Sequence, residues 1–505
     1  MHKCLIFNVC APRWSGRPAG PYRIAHVLRE HGWDAEVIDF MLAWTNDELK
    51  SLALSRIDKD TKFIGFGHLY SMWPIELELY CAWIKERWPH VKIISGSSVL
   101  PDFQSKTIDY YIQGFAELAI FELVSYLFSN GTRPRFDTSL QIQGQKIIKA
   151  NDQYPAYPMK SLMIKYEDRD FIQSHEWLTI EFARGCKFEC AFCNFPVLGV
   201  KGDYSRDADD AYEQLQDTYD RFGVNNYIVS DETFNDRTEK ITKFADVVDK
   251  LSFTPWFSGY VRADLLVSRP QDREELLRMN FLGHYYGIES FNTESAKSVG
   301  KGMDGERLKN GLIDVRQYFE NQGRNLYRGE IGLIIGLPYE TISSCEQSLD
   351  WLLHNWKDQA YKSYYLFIPL GDKHKSSKMS LDYAKYGYTE IDVSKKNSYN
   401  MKRLIKFDDF VGGSTDGLLW QNSDMDIFEA SDIVKKYDEV RNENFGLGVF
   451  LLSNNYVGNL DVKERLKLSV SEGLRITGGS YGTSLRGSDS FLGIQQYIDS
   501  KLNHQ

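Results

Sequence analysis

Short apolar segments alternate with amphipathic helical patterns in two separate series, and this alternation limits the possible fold more than any other feature. Strands that alternate with helices are typical of parallel sheets whose strands are joined by helices. The sequence therefore predicts an α/β fold with two largely parallel sheets. The first series has strands predicted at residues 3–9, 35–40, 62–68, 91–96 and 109–114, with helices at 21–32, 45–57, 74–88 and 116–128.

The first series predicts a doubly wound, Rossmann-like domain over residues 1–135. In such open sheets, ligands bind outside the carboxyl ends of the strands. Three polar, glycine-bearing loops are expected at that end, at residues 10–20, 95–102 and 114–117. Loops of this composition can also do no more than turn the chain, so a ligand site and a simple turn stay open as alternatives.

The second series predicts a partial (β/α)6 barrel of the TIM type over residues 171–370. A linker over 136–170, with a hairpin-like segment at 138–150, would connect it to the first domain. Six strands do not close a full barrel, so a lateral opening is expected. The strands are predicted at 177–183, 226–231, 255–261, 281–288, 328–336 and 362–369, with helices at 207–223, 238–251, 273–279, 306–323 and 340–356.

Residues 371–505 form a third part with weaker patterns. Its clearest element is an amphipathic helix at 426–445, which predicts an α-rich C-terminal extension. We expect this extension to cap the barrel opening and to contact the substrate.

Composition excludes several classes of protein. With 42% hydrophobic and 26% charged residues in 505, the chain reads as a soluble globular protein. A net charge of −10 disfavours a nucleic-acid partner. There is no uninterrupted apolar run of about 18 residues and no signal peptide, so we predict neither a membrane span nor secretion. The scattered Cys4, Cys10, Cys81 and Cys345 suit a reducing, cytoplasmic location.

Three cysteines stand close together directly after the first strand of the second series. Cys186, Cys190 and Cys193 have the spacing C-x-x-x-C-x-x-C, and no fourth Cys or His follows at a zinc-finger distance. Structural zinc sites normally use four protein ligands. Three ligands at the functional end of a barrel instead suit a cofactor that keeps one metal position open. A zinc or incidental cysteine cluster is the alternative.

The segment "CKFECAFC" resembles the signature of the radical S-adenosylmethionine (SAM) superfamily. The resemblance implies that the three thiolates bind three irons of a [4Fe–4S] cluster, while the fourth iron binds SAM. It also implies reductive cleavage of SAM to a 5′-deoxyadenosyl radical, with Phe192 beside the adenine. Further SAM contacts are implied for residues at successive strand ends, namely Asp231 or Glu232 (ammonium), Arg262, Asp264, Glu289, Ser290, Gly332, Ile334, Gly336 and Ile368.

The first domain, placed before such a barrel, resembles the cobalamin-binding radical SAM class. The resemblance implies that cobalamin, if bound, contacts the loop with Gly96, Ser97 and Ser98, and the segment with Gly114 and Glu117. Phe115 and Ala116 depart from the Gly-Glu-Gly-Glu pattern of that segment. The D-x-H-x-x-G motif is absent, so no histidine of this domain is expected on cobalt.

Several functions stay open. We favour a cobalamin-dependent C-methyltransferase acting on a small molecule, lipid or peptide, with a flavodoxin or ferredoxin as electron donor. One alternative is a radical SAM enzyme whose first domain binds no cobalamin and that catalyses cyclisation, rearrangement or oxidation. A methylthiotransferase would need a second cluster, for which Cys4, Cys10 and Cys81 are the available thiols. A non-catalytic iron–sulfur sensor is the last alternative.

Overall fold

The computed structural model contains two six-stranded sheets, each flanked by helices. Among the residues that it describes, no helix is both long and apolar enough to cross a membrane. The described residues are 1–9, 17–67, 74–97, 105–137, 146–150, 161–174, 176–193, 195, 204–322, 327–368, 370, 377–391, 419–444 and 489–503.

The first sheet has the order β2-β1-β3-β4-β5-β6, and all of its pairings are parallel. This is the doubly wound arrangement that was predicted, with its switch in strand order between β1 and β3. The strands are β1 (Lys3–Asn8), β2 (Asp34–Ile38), β3 (Thr61–Gly67), β4 (Lys92–Ser97), β5 (Tyr110–Gln113) and β6 (Lys146–Lys149). The helices are α1 (Ala19–Glu30), α2 (Asn46–Arg56), α3 (Pro74–Arg87) and α4 (Glu117–Phe128).

The sheet is buried on both faces, as parallel sheets are. Side chains alternate along β1, so that Cys4 and Ile6 join one hydrophobic cluster while Leu5 and Phe7 join the other. An uninterrupted apolar run such as "CLIF" is the sequence expected for a strand covered on both sides.

Residues 146–149 differ in part from the prediction. They form β6, which pairs in parallel with β5, while Ile147 also makes an antiparallel bridge to Asp137, as in the predicted hairpin. Ile147 and Ile148 are both fully buried, one in each hydrophobic cluster. Burial on two faces explains why this short segment extends the sheet.

The second sheet has the order β14-β13-β12-β11-β10-β7, and all of its strands are parallel. It confirms the predicted six-stranded partial barrel. Its strands are β7 (Trp177–Ile180), β10 (Asn226–Val229), β11 (Trp256–Tyr260), β12 (Phe281–Glu289), β13 (Arg328–Ile335) and β14 (Ala360–Tyr365). Two small antiparallel pairs are β8 (Ala183–Arg184) with β9 (Tyr204–Ser205), and β15 (Thr389–Glu390) with β16 (Trp420–Gln421).

Helices follow the barrel strands and pack outside them. Thr341 begins one of them with a capping box that also uses Ser344. The helices are α5 (Ala208–Phe222), α6 (Thr238–Val248), α7 (Ala263–Ser268), α8 (Gln271–Arg278), α9 (Thr293–Ser298), α10 (Gly305–Gln322) and α11 (Ile342–Asn355). The C-terminal part adds α12 (Lys378–Leu381), α13 (Ile427–Asn444) and α14 (Asp489–Asn503).

The C-terminal helices contact both domains. Helix α13 lies along the edge strand β14, where the Tyr361 hydroxyl donates to the carbonyl of Tyr437 at 3.2 Å. Helix α14 packs on the first domain, where the backbone N–H of Asp39 donates to the Tyr497 hydroxyl at 2.8 Å. Lys501 Nζ lies 3.1 Å from Glu36 Oε1 in the same contact. The sequence predicted the first of these helices but not α14, and the capping of the barrel opening by residues 371–505 stays a prediction.

Arg17 is fully buried where the two domains and α14 meet. Its guanidinium forms ion pairs with Asp39 at 2.9 Å and with Glu176 at 2.6 Å. It also lies over the ring of Tyr497, 4.9 Å from the centroid. Its backbone bridges to Leu178 of β7. One side chain therefore joins the first domain, the segment before the barrel and the C-terminal helix.

Candidate active site

The cysteine motif lies in the loop after β7 and β8, at the carboxyl end of the barrel sheet. Cys186, Cys190 and Cys193 are each partly exposed, whereas the other described cysteines are buried. The backbone N–H of Cys193 donates to the carbonyl of Cys190 at 3.1 Å, and that of Phe195 donates to Cys193 Sγ at 3.4 Å. Phe192 is half-buried and packs against the core. Hydrogen bonds thus fix the backbone of the loop, while its three thiols remain partly exposed.

The three thiols lie near enough to affect one another. Burial, together with the nearby Cys190, Cys186 and Glu232, raises the pKa of Cys193 to about 11. Burial also raises the pKa of Cys186, with Cys190 and Glu232 acting in the same direction. Neighbouring thiolates repel one another, so their charged forms are stabilised only when a positive centre lies beside them.

The donor set fits an iron–sulfur cluster better than a single ion. Among the described residues, no three His, Cys, Asp or Glu side chains are close enough together to hold one metal ion. Each thiolate of a [4Fe–4S] cluster binds a different iron, so its ligands stand farther apart than those of one ion. Three partly exposed thiols in one loop are the type and number of ligands that such a cluster with one open iron uses.

Contacts from several elements support the cysteine loop. Lys187 Nζ donates to the carbonyl of Asp236, which follows β10. The N–H of Ala191 donates to the carbonyl of Val299 at 3.0 Å, and the N–H of Met379 donates to the carbonyl of Ala191 at 2.9 Å. Because Met379 belongs to α12, the C-terminal extension reaches the loop directly.

Arg262 and Asp264, both predicted to contact SAM, form a pair with each other. Arg262 Nη2 donates to Asp264 Oδ2 at 2.7 Å and Nε donates to Oδ1 at 3.0 Å. The guanidinium also lies 3.9 Å from the centroid of the Phe188 ring, which stands between the first two motif cysteines. The structure therefore places Arg262 as a support of the cysteine loop, and leaves its contact with SAM a prediction.

The two carboxylates after β10 have different surroundings. Asp231 Oδ1 accepts hydrogen bonds from the N–H groups of Phe182 and Ala183, at 2.8 and 3.1 Å. Glu232 Oε2 is buried and accepts no hydrogen bond from any described residue. Burial raises the pKa of Glu232 well above its usual value. Asp231 Oδ1 thus holds the strand end, while Asp231 Oδ2 and Glu232 Oε2 are both buried without a hydrogen bond from a described residue, so each carboxyl has an oxygen available to a ligand.

A buried chain of charges leads from Glu232 to the first domain. Glu181 directly follows β7 and lies near Glu232. After burial, the charge of Glu181 is the second largest cause of the raised pKa of Glu232. Both oxygens of Glu181 accept hydrogen bonds from Arg184, at 2.5 and 2.8 Å. Arg184 Nη2 in turn lies 2.6 Å from Glu117 Oε1, and its guanidinium is 4.3 Å from the ring centroid of Phe115.

Glu117, predicted as a cobalamin contact, is therefore placed at the domain interface. Arg23 Nε lies 3.6 Å from the same carboxylate. Burial opposes its ionisation, but Arg184 and then Arg23 outweigh burial and lower the pKa of Glu117. The "GFAE" segment departs from the expected pattern where its side chains meet Arg184.

Glu289 ends β12 in a left-handed backbone conformation, with φ of 67°. Lys301 Nζ lies 3.3 Å from its Oε1. A side chain at Gly287 would place its Cβ 2.6 Å from the same oxygen, so the glycine leaves room for the carboxylate. Glu289 stands at the strand end, as the sequence predicted.

Ser290 is buried and bonded within the protein. Its hydroxyl donates to Glu340 Oε1 at 2.6 Å and accepts the N–H of Asn292 at 3.0 Å. Glu340 Oε2 accepts the N–H groups of Gly336 and Leu337, each at 3.2 Å. The pair joins the ends of β12 and β13, so Ser290 acts through Glu340 on the shape of the site.

The glycines of β13 make room for aromatic side chains. A Cβ at Gly332 would lie 2.3 Å from the Tyr285 hydroxyl oxygen. A Cβ at Gly336, where φ is 98°, would lie 2.3 Å from the Trp420 ring. Ile334 is half-buried near the end of the same strand, while Ile368 is buried beyond β14. The predicted contact with SAM is therefore not the only reason for a glycine at either position.

The predicted cobalamin loops are only partly described. A Cβ at Gly96 would lie 3.1 Å from the carbonyl oxygen of Ile112, so close strand packing already favours glycine there. The Ser97 carbonyl accepts the N–H of Gly114 at 2.9 Å, and φ of Gly114 is 97°. These small residues stand at the carboxyl ends of β4 and β5. Ser98 lies outside the described residues.

Sequence reasoning missed Glu181, Arg184 and Tyr285. The sequence pattern that could have indicated Arg184 is a basic residue two positions before the first motif cysteine, with the acidic Glu181 three residues earlier. The inner-facing Tyr285 has a signal in its alternation with His284 and Tyr286 along β12.

Comparison with known proteins agrees with this geometry. The family model described as "Radical SAM superfamily" matches residues 180–352. No curated protein matches the chain. Among solved structures, the radical S-adenosylmethionine methyltransferase TsrM from Kitasatospora setae, with tryptophan substrate and a SAM analog bound, is 12% identical, with a TM-score of 0.60 over 99% of this chain and 100% of that chain. The cobalamin-dependent enzyme OxsB, with aqua-cobalamin and S-adenosylmethionine bound, is 15% identical, with a TM-score of 0.56 over 99% and 80%.

At these identities the likeness to TsrM and OxsB concerns the fold. It extends over both domains and the C-terminal part. The cysteine motif falls within the matched family segment, at the strand end where the site was predicted. Residues 180–352 therefore match the radical SAM family model, and the chain as a whole shares the two-domain fold of TsrM and OxsB.

Proposed function

We propose that the protein cleaves SAM reductively at a [4Fe–4S] cluster held by Cys186, Cys190 and Cys193, and that it is a cobalamin-dependent C-methyltransferase. The observation that carries the first step is the placement of the buried Glu232 carboxyl beside three partly exposed thiols of one loop. Such a cluster, when bound, supplies the electron that breaks the sulfonium bond of SAM.

Glu232 is proposed to accept hydrogen bonds from the ammonium group of SAM. A buried carboxyl with a raised pKa is stabilised in its charged form when a cation arrives. Asp231 positions this strand end through the N–H groups of Phe182 and Ala183. Predicted SAM contacts at Phe192, Asp264, Glu289, Ile334 and Ile368 remain part of the proposal.

Cobalamin is proposed to bind at the carboxyl end of the first sheet. The doubly wound topology and the small residues Gly96, Ser97 and Gly114 support this site. TsrM and OxsB share the fold and are described with cobalamin bound. We keep the predicted domain boundaries except that the first unit extends to residue 150, because β6 belongs to its sheet.

The test is anaerobic reconstitution of the full chain with iron, sulfide and cobalamin, followed by incubation with SAM and a reductant. We expect about four irons per chain, a corrinoid spectrum and 5′-deoxyadenosine. Cys193→Ala should lose the cluster and deoxyadenosine together, whereas Cys345→Ala, which removes a buried thiol outside the motif, should retain both. A corrin-loaded chain that transfers methyl groups without forming deoxyadenosine would overturn the radical step only.

The placement of Glu117 favours one alternative. Because that carboxylate pairs with Arg184 and Arg23, it is not directed wholly toward a corrin. A chain that takes up no corrinoid, yet still forms deoxyadenosine, would be a radical SAM enzyme with a non-binding first domain.

A second cluster has little support. Cys4 and Cys81 are buried in different hydrophobic clusters, on opposite faces of the first sheet. Burial raises the pKa of both thiols. Cys10 lies outside the described residues. Two thiols separated by a sheet cannot bind the same cluster, so a methylthiotransferase is disfavoured.

A further inference from the structure

Three tyrosines gather at the carboxyl end of the barrel sheet. Tyr260 ends β11, Tyr285 lies in β12 and Tyr364 lies in β14. The rings of Tyr260 and Tyr285 meet edge to face, with centroids 5.2 Å apart. Tyr260 is 43% exposed and Tyr364 is 47% exposed. Large aromatic side chains this exposed at a barrel's functional end mark a binding surface.

The contacts show that these tyrosines face the inside of the barrel. The Tyr285 hydroxyl lies against the Cα of Gly332, opposite the helices. Its neighbour His284 points the other way and packs on Phe319 of α10, with ring centroids 4.6 Å apart. Gly332 is paired with Lys362, two residues before Tyr364, which puts Tyr364 on the same inner face.

Around Tyr285 the inner face is polar but close to neutral. Burial, followed by interactions with its neighbours Tyr364, Glu330, Glu289 and Tyr260, raises the pKa of Tyr285 well above its usual value. The two carboxylates that act on Tyr285, Glu330 and Glu289, each lie in an ion pair with a lysine, and a further ion pair lies at the same end of the sheet. These pairs are Lys362 with Glu330 at 3.1 Å, Lys301 with Glu289 at 3.3 Å and Arg262 with Asp264 at 2.7 Å.

We infer that Tyr260, Tyr285 and Tyr364 form the substrate site, and that it takes a neutral, planar aromatic group. Aromatic rings stack on or against tyrosine rings, and the carboxylates nearest to Tyr285 are each neutralised by a lysine. The inference rests on the proposed function only for the reaction that the bound group undergoes. The binding of an aromatic group to the three tyrosines does not depend on that function.

The test uses indole as a neutral planar probe and tetramethylammonium as a cationic probe. Binding to the full-length chain is measured by saturation-transfer NMR. We expect indole to bind, and Tyr260→Leu and Tyr285→Leu each to weaken its binding about three- to tenfold. Tyr285→Phe keeps the ring and should bind nearly as well. Tyr212→Leu is the matched control, because Tyr212 is an exposed tyrosine on α5.

Other outcomes overturn the inference. Binding of tetramethylammonium instead of indole would make the site a cage for cations, and indole binding unchanged by all three leucine variants, Tyr364→Leu included, would place it elsewhere. Tyr260→Leu and Tyr364→Leu alter exposed side chains, so they remain informative if Tyr285→Leu does not fold. The Cys193→Ala chain separates the two proposals, because it should lose the cluster and still bind indole.

Discussion

Arg184 Nη2 lies 2.6 Å from Glu117 Oε1, and this ion pair joins the barrel to the first domain. Arg184 stands two residues before the first motif cysteine, and Glu117 begins α4. Both side chains are almost fully buried. The position of the first domain is thus connected to the strand end that holds the cluster loop.

Removing one partner of this pair should destabilise the protein. Glu117→Gln leaves the Arg184 charge buried and less well paired, and the expected loss in the free energy of unfolding is about 3–5 kcal/mol. Denaturant unfolding measures it. The control is Glu213→Gln, which breaks an exposed pair with Lys165 and should cost at most about 1 kcal/mol. Equal losses in the free energy of unfolding of both variants would show that the buried pair stabilises the protein no more than the exposed pair does.

Glu232→Gln should weaken SAM binding and leave the cluster intact. The lost charge-assisted hydrogen bond is worth about 1.5–3 kcal/mol, roughly a ten- to hundredfold rise in Kd. Equilibrium binding of SAM to the reconstituted protein checks this, with the visible spectrum as the cluster readout. Unchanged affinity would remove Glu232 from the site.

Glu340 should make stability fall as the pH rises. Burial raises the pKa of Glu340 from 4.5 to about 7. Between these values the folded state holds a proton that the unfolded state has released, so the free energy of unfolding decreases with increasing pH. The difference between wild type and Glu340→Gln, measured by denaturant unfolding from pH 4.5 to 7, isolates this group. A difference that does not change with pH contradicts the assignment.

Gly336→Ala should be more damaging than Gly387→Ala. Both glycines have positive φ, so alanine strains the backbone at either by about 1–2 kcal/mol. Only at Gly336 does the added Cβ meet a neighbour, Trp420 at 2.3 Å, whereas nothing lies within 4 Å at Gly387. Overpacking should add about 1–3 kcal/mol at Gly336. Comparison of the two thermal midpoints tests the difference.

The sequence predicted what depends on local periodicity. The strands and helices that were predicted fall close to their predicted bounds, because burial of a strand or of one helix face leaves a repeating pattern, whereas the short elements β6, α7 and α9 were not predicted. The cysteine motif was also recognisable, since its three ligands are close in sequence.

Features built from distant residues could not be predicted in this way. The Arg184–Glu117 pair spans two domains, and the approach of Trp420 to Gly336 spans the barrel and the C-terminal extension. Helix α14 docks on the first domain through Tyr497, which is 458 residues from its partner Asp39. No local pattern specifies which distant partner a buried charge or aromatic ring will find.

The return of α14 to the first domain also affects the order in which the protein folds during synthesis. Domains generally fold as they leave the ribosome, starting with the N-terminal one. Here Arg17 and Asp39 emerge early, but Tyr497, which covers them, is made only after the whole barrel. Until Tyr497 is made, the ion pair of Arg17 and Asp39, which is buried in the folded protein, is exposed to water. The first domain therefore reaches its final stability only after residue 497 has been translated.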